Sequence, residues 1–441
     1  MYESDTIVAQ ATPFGKGSIS VIRLSGEKAL LIAKGLAERK ATLQDRTAVF
    51  SSVFIQSKKK IDEAVFTYFK NPNSYTGEDV VELSCHGNPV IVDSIIKRAC
   101  SLGARIAEPG EYTKRAFLNN KLDLVQAEAV GDLINSKSEE AALHQNKNLS
   151  GSVSSDVLKI QKNLLSVLSS LEFEFDVSED EALLPENVNN CVKLLKNSCL
   201  GVEGILKSYS MGVAYTQGLR IALVGKPNVG KSTLMNRILG ENRSITSQVS
   251  GTTRDTITSE ITISGIPITL IDTAGITNSS NQIEKEGVLR ASKEIERADI
   301  VISMSSPNVK GLDFKNKKET INVFNKTDLI KSGFTKNSSF FYISALKNQG
   351  VDLLLEELAR LVKKNAFSTE STINNVRQKE ALSKCLLSLN SALGILKNKQ
   401  PELELAAFEI KNSINSLSVF LGRVSSEDVL NKIFSNFCVG K

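Results

Sequence analysis

A phosphate-loop pattern, GKPNVGKS at residues 225–232, constrains this chain more than any other stretch of it. It follows the apolar run 219–224 and precedes the helical run 233–239, so it is predicted to turn a strand into a helix. At such a turn Asn228, Val229, Gly230, Lys231, Ser232 and Thr233 can wrap a phosphate chain with backbone N–H groups. The helix that follows offers its positive end to the same charge. Lys231 is expected to reach the outer phosphates, and Ser232 to give a hydroxyl to Mg²⁺, an ion that favours hard oxygen ligands.

Three further motifs follow in the order a nucleotide switch needs. DTAG at 272–275 ends the strand-like run 266–271. There Asp272 can hold the Mg²⁺ shell through water, Thr273 and Ala274 follow it, and the Gly275 N–H can meet a terminal phosphate. NKTD at 325–328 supplies Asn325, Lys326 and Asp328 to select the base. A carboxylate at Asp328 accepts two hydrogen bonds from the guanine edge. Adenine lacks the exocyclic amino group and would leave that acceptor unpaired, a rejection of roughly 10⁴-fold or more. Ser344, Ala345 and Leu346, reading SAL, are a backup contact to the base. Any one of these could be an ordinary turn, but all of them in order predict GTP binding.

A chain of 441 residues is too long for one core, and two to four domains are expected. A hydrophobic share of 41% with 23% charged residues excludes wholesale disorder, and a net charge of +5 permits an RNA partner through local basic patches without demanding one. Six cysteines with no CxxC pair read as reduced thiols rather than a structural zinc site. No apolar run approaches the roughly 18 residues needed to span a bilayer, so no membrane association and a cytoplasmic location are expected. CVGK at 438–441 superficially resembles a prenylation box, but Gly440 is not aliphatic and a final lysine fits poorly.

Along the chain, β-rich runs at 18–24, 47–54, 63–69 and 80–84 alternate with helical candidates at 28–39 and 89–102, a small α+β pattern. From 122 to about 210 apolar residues recur three and four apart, as in bundle helices, and the acidic stretch 172–186 is expected to be an exposed loop. Helix returns after about 371. The fold class is therefore an α+β N-terminal domain, an α-helical bundle domain, and an inserted α/β P-loop (Ras-like) GTPase domain. The expected bounds are 1–120, 121–215 and 368–441 for the two parts of the bundle, and 216–367 for the insert. On composition alone Arg23 and Glu82 read as charges on a solvated strand face, and Cys85 beside His86 as incidental.

DTIVAQATPFGKGSISVIRLSG at the front, SYTGEDVVELSCHGNPV, PGEYTKRAFLNNKLDLVQAEAV, the nucleotide motifs and FCVGK at the end together resemble the MnmE (TrmE) family of bacterial and organellar tRNA-modification GTPases. The resemblance implies a folate-binding and dimerising N-terminal domain and a constitutive homodimer. It also implies a heterotetramer with the flavoprotein MnmG, which would bring FAD and NADH. The implied product is an aminomethyl or carboxymethylaminomethyl group at carbon 5 of the wobble uridine of certain tRNAs, with a tetrahydrofolate derivative (5,10-methylene or 5-formyl) as one-carbon cofactor. Folate contacts would fall on Arg23, Glu82, Lys121 and Lys441, and Cys438 would take part in the modification chemistry. Hydrolysis would use K⁺ in place of an arginine finger, with Asn228, Ser247, Val249 and Thr252 as ligands. The loop of Ser247, Gln248, Val249, Ser250, Gly251 and Thr252 would close over the ion, and Thr253 would join Ser232 on Mg²⁺. Glu284 would orient the attacking water, although by residue type alone it reads as an exposed carboxylate.

The chain departs from that family in three places. The stretch 304–324 is shorter than expected and hardly encodes an intervening helix, Gln248 stands where an acid is common, and SAL replaces SAK or SAR. A different class of function, a regulatory or ribosome-assembly GTP switch of the same superfamily, would share the nucleotide motifs. It has no reason to carry the folate constellation or CVGK.

Overall fold

The protein was analysed as a computed structural model, which describes residues 5–37, 42–56, 59–177, 185–241, 257–272, 294–307, 309, 319–330, 337–364, 372–398, 400–424, 426–435 and 437–441. The chain divides into two compact units: Met1–Gly131 with Leu149–Ser154 and Lys411–Lys441, and Asp132–Asn148 with Ser155–Ile410.

In the first unit a six-stranded sheet holds β1 (Thr6–Gln10), β2 (Ile19–Ser25), β3 (Ala48–Gln56), β4 (Lys59–Phe69), β5 (Val80–His86) and β6 (Ala104–Ile106), in the order β3-β4-β5-β2-β1-β6. All pairs are antiparallel except β1 with β6. Because side chains alternate across a strand, Val8, Ile22, Leu24, Phe66 and Leu83 share one face. They pack there with Ile32 and Leu36 of α1 (Ala29–Leu36) and Ile95 of α2 (Pro89–Ser101). Asn88 caps α2 by accepting from Val90 N, with Pro89 in its first turn. The opposite face carries Ile7 and Ala9 against Tyr112 of α3 (Glu111–Leu118) and Val439 of the tail. Leu124 and Ala127 of α4 (Leu124–Ile134) form a further cluster with Leu430 and Phe434, which lie on the last helix, Glu427–Phe434.

In the second unit helices lead into another six-stranded sheet. The helices are α5 (Glu139–Leu149), α6 (Ser152–Val177), α7 (Pro185–Lys207) and α8 (Tyr209–Gln217). The strands are β7 (Leu219–Val224), β8 (Ile257–Ile263), β9 (Ile266–Asp272), β10 (Ile300–Ser305), β11 (Glu319–Phe324) and β12 (Phe341–Tyr342). Their order is β12-β11-β10-β7-β9-β8, parallel throughout except for the β8–β9 hairpin. β7 is covered on both sides, which is why LRIALV is nearly unbroken apolar sequence. Successive strands leave β7 on opposite sides, so the loop that follows it lies at the switch point where such sheets bind ligands. That loop leads into α9 (Lys231–Glu241). Leu354, Leu358 and Leu361 of α10 (Val351–Lys364) join the sheet core, and α11 (Val376–Leu396) packs on α7. α12 (Leu403–Leu421) spans the division at Ile410, and α13 (Glu427–Phe434) is the last helix, already described in the first unit.

The acidic stretch 172–186 was expected to be a loop; its ends are helical, and its centre, 178–184, lies outside the described residues. α6 continues to Val177 and α7 begins at Pro185, because glutamate is a good helix former and exposure alone does not end a helix. Two strands lacked a signal: β1 is buried along its whole length and so shows no alternation, and β6 has only three residues. Among the described residues no helix is long and apolar enough to cross a membrane.

Candidate functional site

The nucleotide motifs converge at the C-terminal edge of the second sheet. Asn228 and Gly230 take φ values of 65° and 97°, and this left-handed backbone curls the loop that β7 delivers. A Cβ at Gly230 would overlap Asn325 Nδ2, so the loop can pass this close only as glycine. The buried Lys231 ammonium donates to Gly225 O at 2.7 Å and Lys226 O at 3.2 Å. Burial pushes its pKa down, against the opposing pull of the Asp272 carboxylate. A cation whose hydrogen bonds run to neutral carbonyls at a phosphate loop is one that phosphate oxygens can take over. The Ser232 hydroxyl donates to Asp272 Oδ2 at 2.7 Å, which brings two hard oxygens together at the end of β9.

Asn325, 2% exposed, ties the phosphate end to the base end. Its Nδ2 donates to Val229 O at 2.9 Å, and its Oδ1 accepts from Ala345 N at 3.0 Å. Next to it Lys326 stands at φ 64°. Asp328 Oδ1 accepts the Ser344 hydroxyl at 2.6 Å, a bond that holds the carboxyl below its ordinary range. Thr233 lies in the first turn of α9, and Leu346 is exposed at the rim. Asn228, Val229, Gly230, Lys231, Ser232, Asp272, Asn325, Asp328, Ser344 and Ala345 therefore form one continuous site. Ser247, Gln248, Val249, Ser250, Gly251, Thr252, Thr253, Thr273, Ala274, Gly275 and Glu284 lie outside the described residues.

The first unit carries a second constellation. Arg23 on β2 and Glu82 on β5 are direct cross-strand partners, with Nε and Nη2 at 2.8 and 2.7 Å from Oε1. The guanidinium lies 5.6 Å from the ring centroids of both Tyr75 and Tyr112, and the Tyr112 hydroxyl donates to Arg23 O at 2.7 Å. The 437–441 tail closes over this group. Val439 bridges to Pro109, Gly110 N donates to Cys438 O, and Arg23 Nη1 donates to Gly440 O at 3.2 Å. Burial, helped by the Arg23 charge, pushes the Lys441 amine down. The Cys438 thiol is exposed. Lys121 instead donates to Pro72 O at 3.0 Å, with its stem beside Gly77. Tyr75 and Tyr112, both central here, were not singled out from sequence, where a tyrosine that packs looks the same as one that lines a site.

Residues 6–121 match the family model described as GTP-binding protein TrmE N-terminus, and residues 124–438 match the MnmE helical domain. Proteins named "tRNA modification GTPase MnmE" are similar over the whole length. Those of Pseudothermotoga lettingae and Aquifex aeolicus are 39% and 36% identical, covering 99% of this chain and all of each relative. That of Francisella tularensis subsp. tularensis is 38% identical over all of both chains. A solved FeoB G-domain from Methanococcus jannaschii, 25% identical, covers 33% of this chain and 97% of its own at a TM-score of 0.25, too low to weigh. The chain belongs to the MnmE (TrmE) family of tRNA modification GTPases.

Proposed function

We propose that this protein is a potassium-activated GTP hydrolase of tRNA modification. With the flavoprotein MnmG it would act on carbon 5 of the wobble uridine of certain tRNAs, taking one carbon from methylene-tetrahydrofolate. The observation that carries the hydrolase reading is the Asn325 bridge, which makes phosphate loop and base loop one rigid site. Lys231 would leave the carbonyls of Gly225 and Lys226 for the outer phosphates, and Asp328 would take the guanine edge. The donor set at Ser232 and Asp272 fits Mg²⁺, which when bound screens the phosphate charge. Asn228, Ser247, Val249 and Thr252 would hold K⁺, Thr253 would join Ser232, and Glu284 would orient the water.

The Arg23–Glu82 group fits a tetrahydrofolate derivative in its chemistry. A carboxylate suits the pterin amino and ring N–H edge, two tyrosine rings suit a flat heterocycle, and the Lys441 amine suits a glutamyl carboxylate. Lys121 would join from the segment beside Pro72. The exposed Cys438 thiol would serve the modification step as nucleophile, and full tRNA modification by Cys438→Ser would end that assignment. The protein would act as a homodimer joined through residues 1–120, in a heterotetramer with MnmG that contributes FAD and NADH. The deciding test is nucleoside analysis of wobble uridines in cells lacking this chain. The modified nucleoside should disappear, and unchanged levels would move the reading to a regulatory GTP switch.

A further inference from the structure

We propose that Arg237 is a positioning residue for base discrimination, fixing the turn at 344–347 so that one backbone donor is offered to guanine. This rests on the guanine-nucleotide reading above. Arg237 lies on α9, six residues beyond Lys231, about 9 Å further along the helix at 1.5 Å per residue. From there its guanidinium reaches across to the base loop. Nε donates to Ala345 O at 3.3 Å and Nη2 to Leu346 O at 3.1 Å. One helix therefore holds the phosphate loop at its start and the base loop two turns later.

The other N–H groups of this turn are occupied. Ser344 N donates to Gln349 O, Ala345 N to Asn325 Oδ1, and Lys347 N to Ser344 Oγ. Among the described residues Leu346 N–H has no acceptor. It belongs to the same planar trans peptide as Ala345 C=O, so its direction is opposite to that of the carbonyl. By holding Ala345 O toward α9, Arg237 aims the Leu346 N–H away from the helix, on a turn that Ser344 ties to Asp328. Guanine presents an acceptor oxygen at position 6, where adenine presents a donor amino group. A fixed N–H donor there favours the first and opposes the second. Leu346 brings no charged side chain to the base, which leaves this backbone donor, and the guanidinium behind it, as the turn's means of discrimination.

The test uses Arg237→Met, which keeps the stem and removes the donors, and Arg237→Lys, which keeps a charge and one donor group. Dissociation constants for GDP and ADP are measured on the full chain, with kcat at saturating GTP and the melting temperature without nucleotide. The expected result for the methionine variant is GDP binding about tenfold weaker, the size of one neutral hydrogen bond of about 1.4 kcal/mol. ADP binding, kcat at saturation and the nucleotide-free melting temperature should be unchanged, and the lysine variant should recover part of the loss. An unchanged GDP to ADP ratio, or GDP and ADP losses of equal size with a lowered melting temperature, would overturn the proposal. A wild-type chain with no preference for GDP over ADP would instead overturn the nucleotide reading itself.

Discussion

At the level of single residues, groups whose type a ligand's chemistry would dictate are legible in the sequence, and the contacts that hold them in place are not. Lys231, Ser232 and Asp328 were assigned from spacing alone, since the chemistry of phosphate, Mg²⁺ and guanine dictates the residue type. The bridge made by Asn325 ends on a backbone carbonyl and a backbone N–H, which every residue owns, so no sequence pattern marks it. Asn325→Ala leaves both groups buried and unpartnered, at about 1–3 kcal/mol each. A GDP dissociation constant raised at least tenfold and a lowered melting temperature are expected, and unchanged calorimetric affinity would refute the bridging role. Gly440 is a second such case. It stands at φ 97° with no room for a Cβ against Gln10 O, and its carbonyl takes a bond from Arg23. Gly440→Ala should unseat the tail, read as faster amide exchange at 437–441, and unaltered exchange would show that the tail is held elsewhere.

Among the elements, strands and helices with a clean period were legible, whereas the ionic packing around α3 was not. Arg115, buried, meets Asp5 at 2.6 Å, Glu111 at 2.9 Å and Glu78 at 3.2 Å, and Arg105 meets Asp5 and Glu111 from β6. Burial alone would raise the carboxyls of Asp5 and Glu111. The hydrogen bonds and charges of the two arginines outweigh it and hold both below their ordinary values of 3.8 and 4.5. Because the folded state binds these protons less readily than the unfolded chain, their stabilisation is complete above those ordinary values. It is lost as pH falls through the lower folded ones. The urea midpoint of the first unit should hold from pH 7 to about 5 and drop below about 4. Arg115→Met, which leaves Glu78 without its arginine and Asp5 and Glu111 with Arg105 alone, should cost about 3–5 kcal/mol at neutral pH and flatten that acid slope. A slope equal to wild type would remove the network from the account. The β8–β9 hairpin carries a comparable constraint. Ser264 and Gly265 both take positive φ, and Ser138 Oγ and Lys137 hold the hairpin at Gly265 O and Glu260. Neither the bend nor its docking was read from the sequence.

For the whole molecule, each unit carries a constellation of its own, the nucleotide motifs in one and the Arg23–Glu82 group in the other, so mutation can test the role proposed for each separately. Arg23 contacts Glu82, Gly440, Tyr75 and Tyr112, and Lys231 contacts Gly225 and Lys226 of its own loop. Arg23→Gln removes the charge that pairs Glu82 while leaving the phosphate loop unaltered, so GTP turnover should match wild type. Lys231→Ala removes the buried cation of the phosphate loop. Loss of a charge aimed at a developing transition state costs on the order of 10²–10³ in rate, while the tetrahydrofolate binding proposed for the other unit, followed by fluorescence quenching, should match that of wild type. If hydrolysis times a modification carried out at the other site, cells bearing either variant should lack the modified wobble uridine. An Arg23→Gln strain with normal nucleoside content would detach that group from the chemistry. A Lys231→Ala strain with normal content would show that modification proceeds without the hydrolysis that the phosphate loop supports.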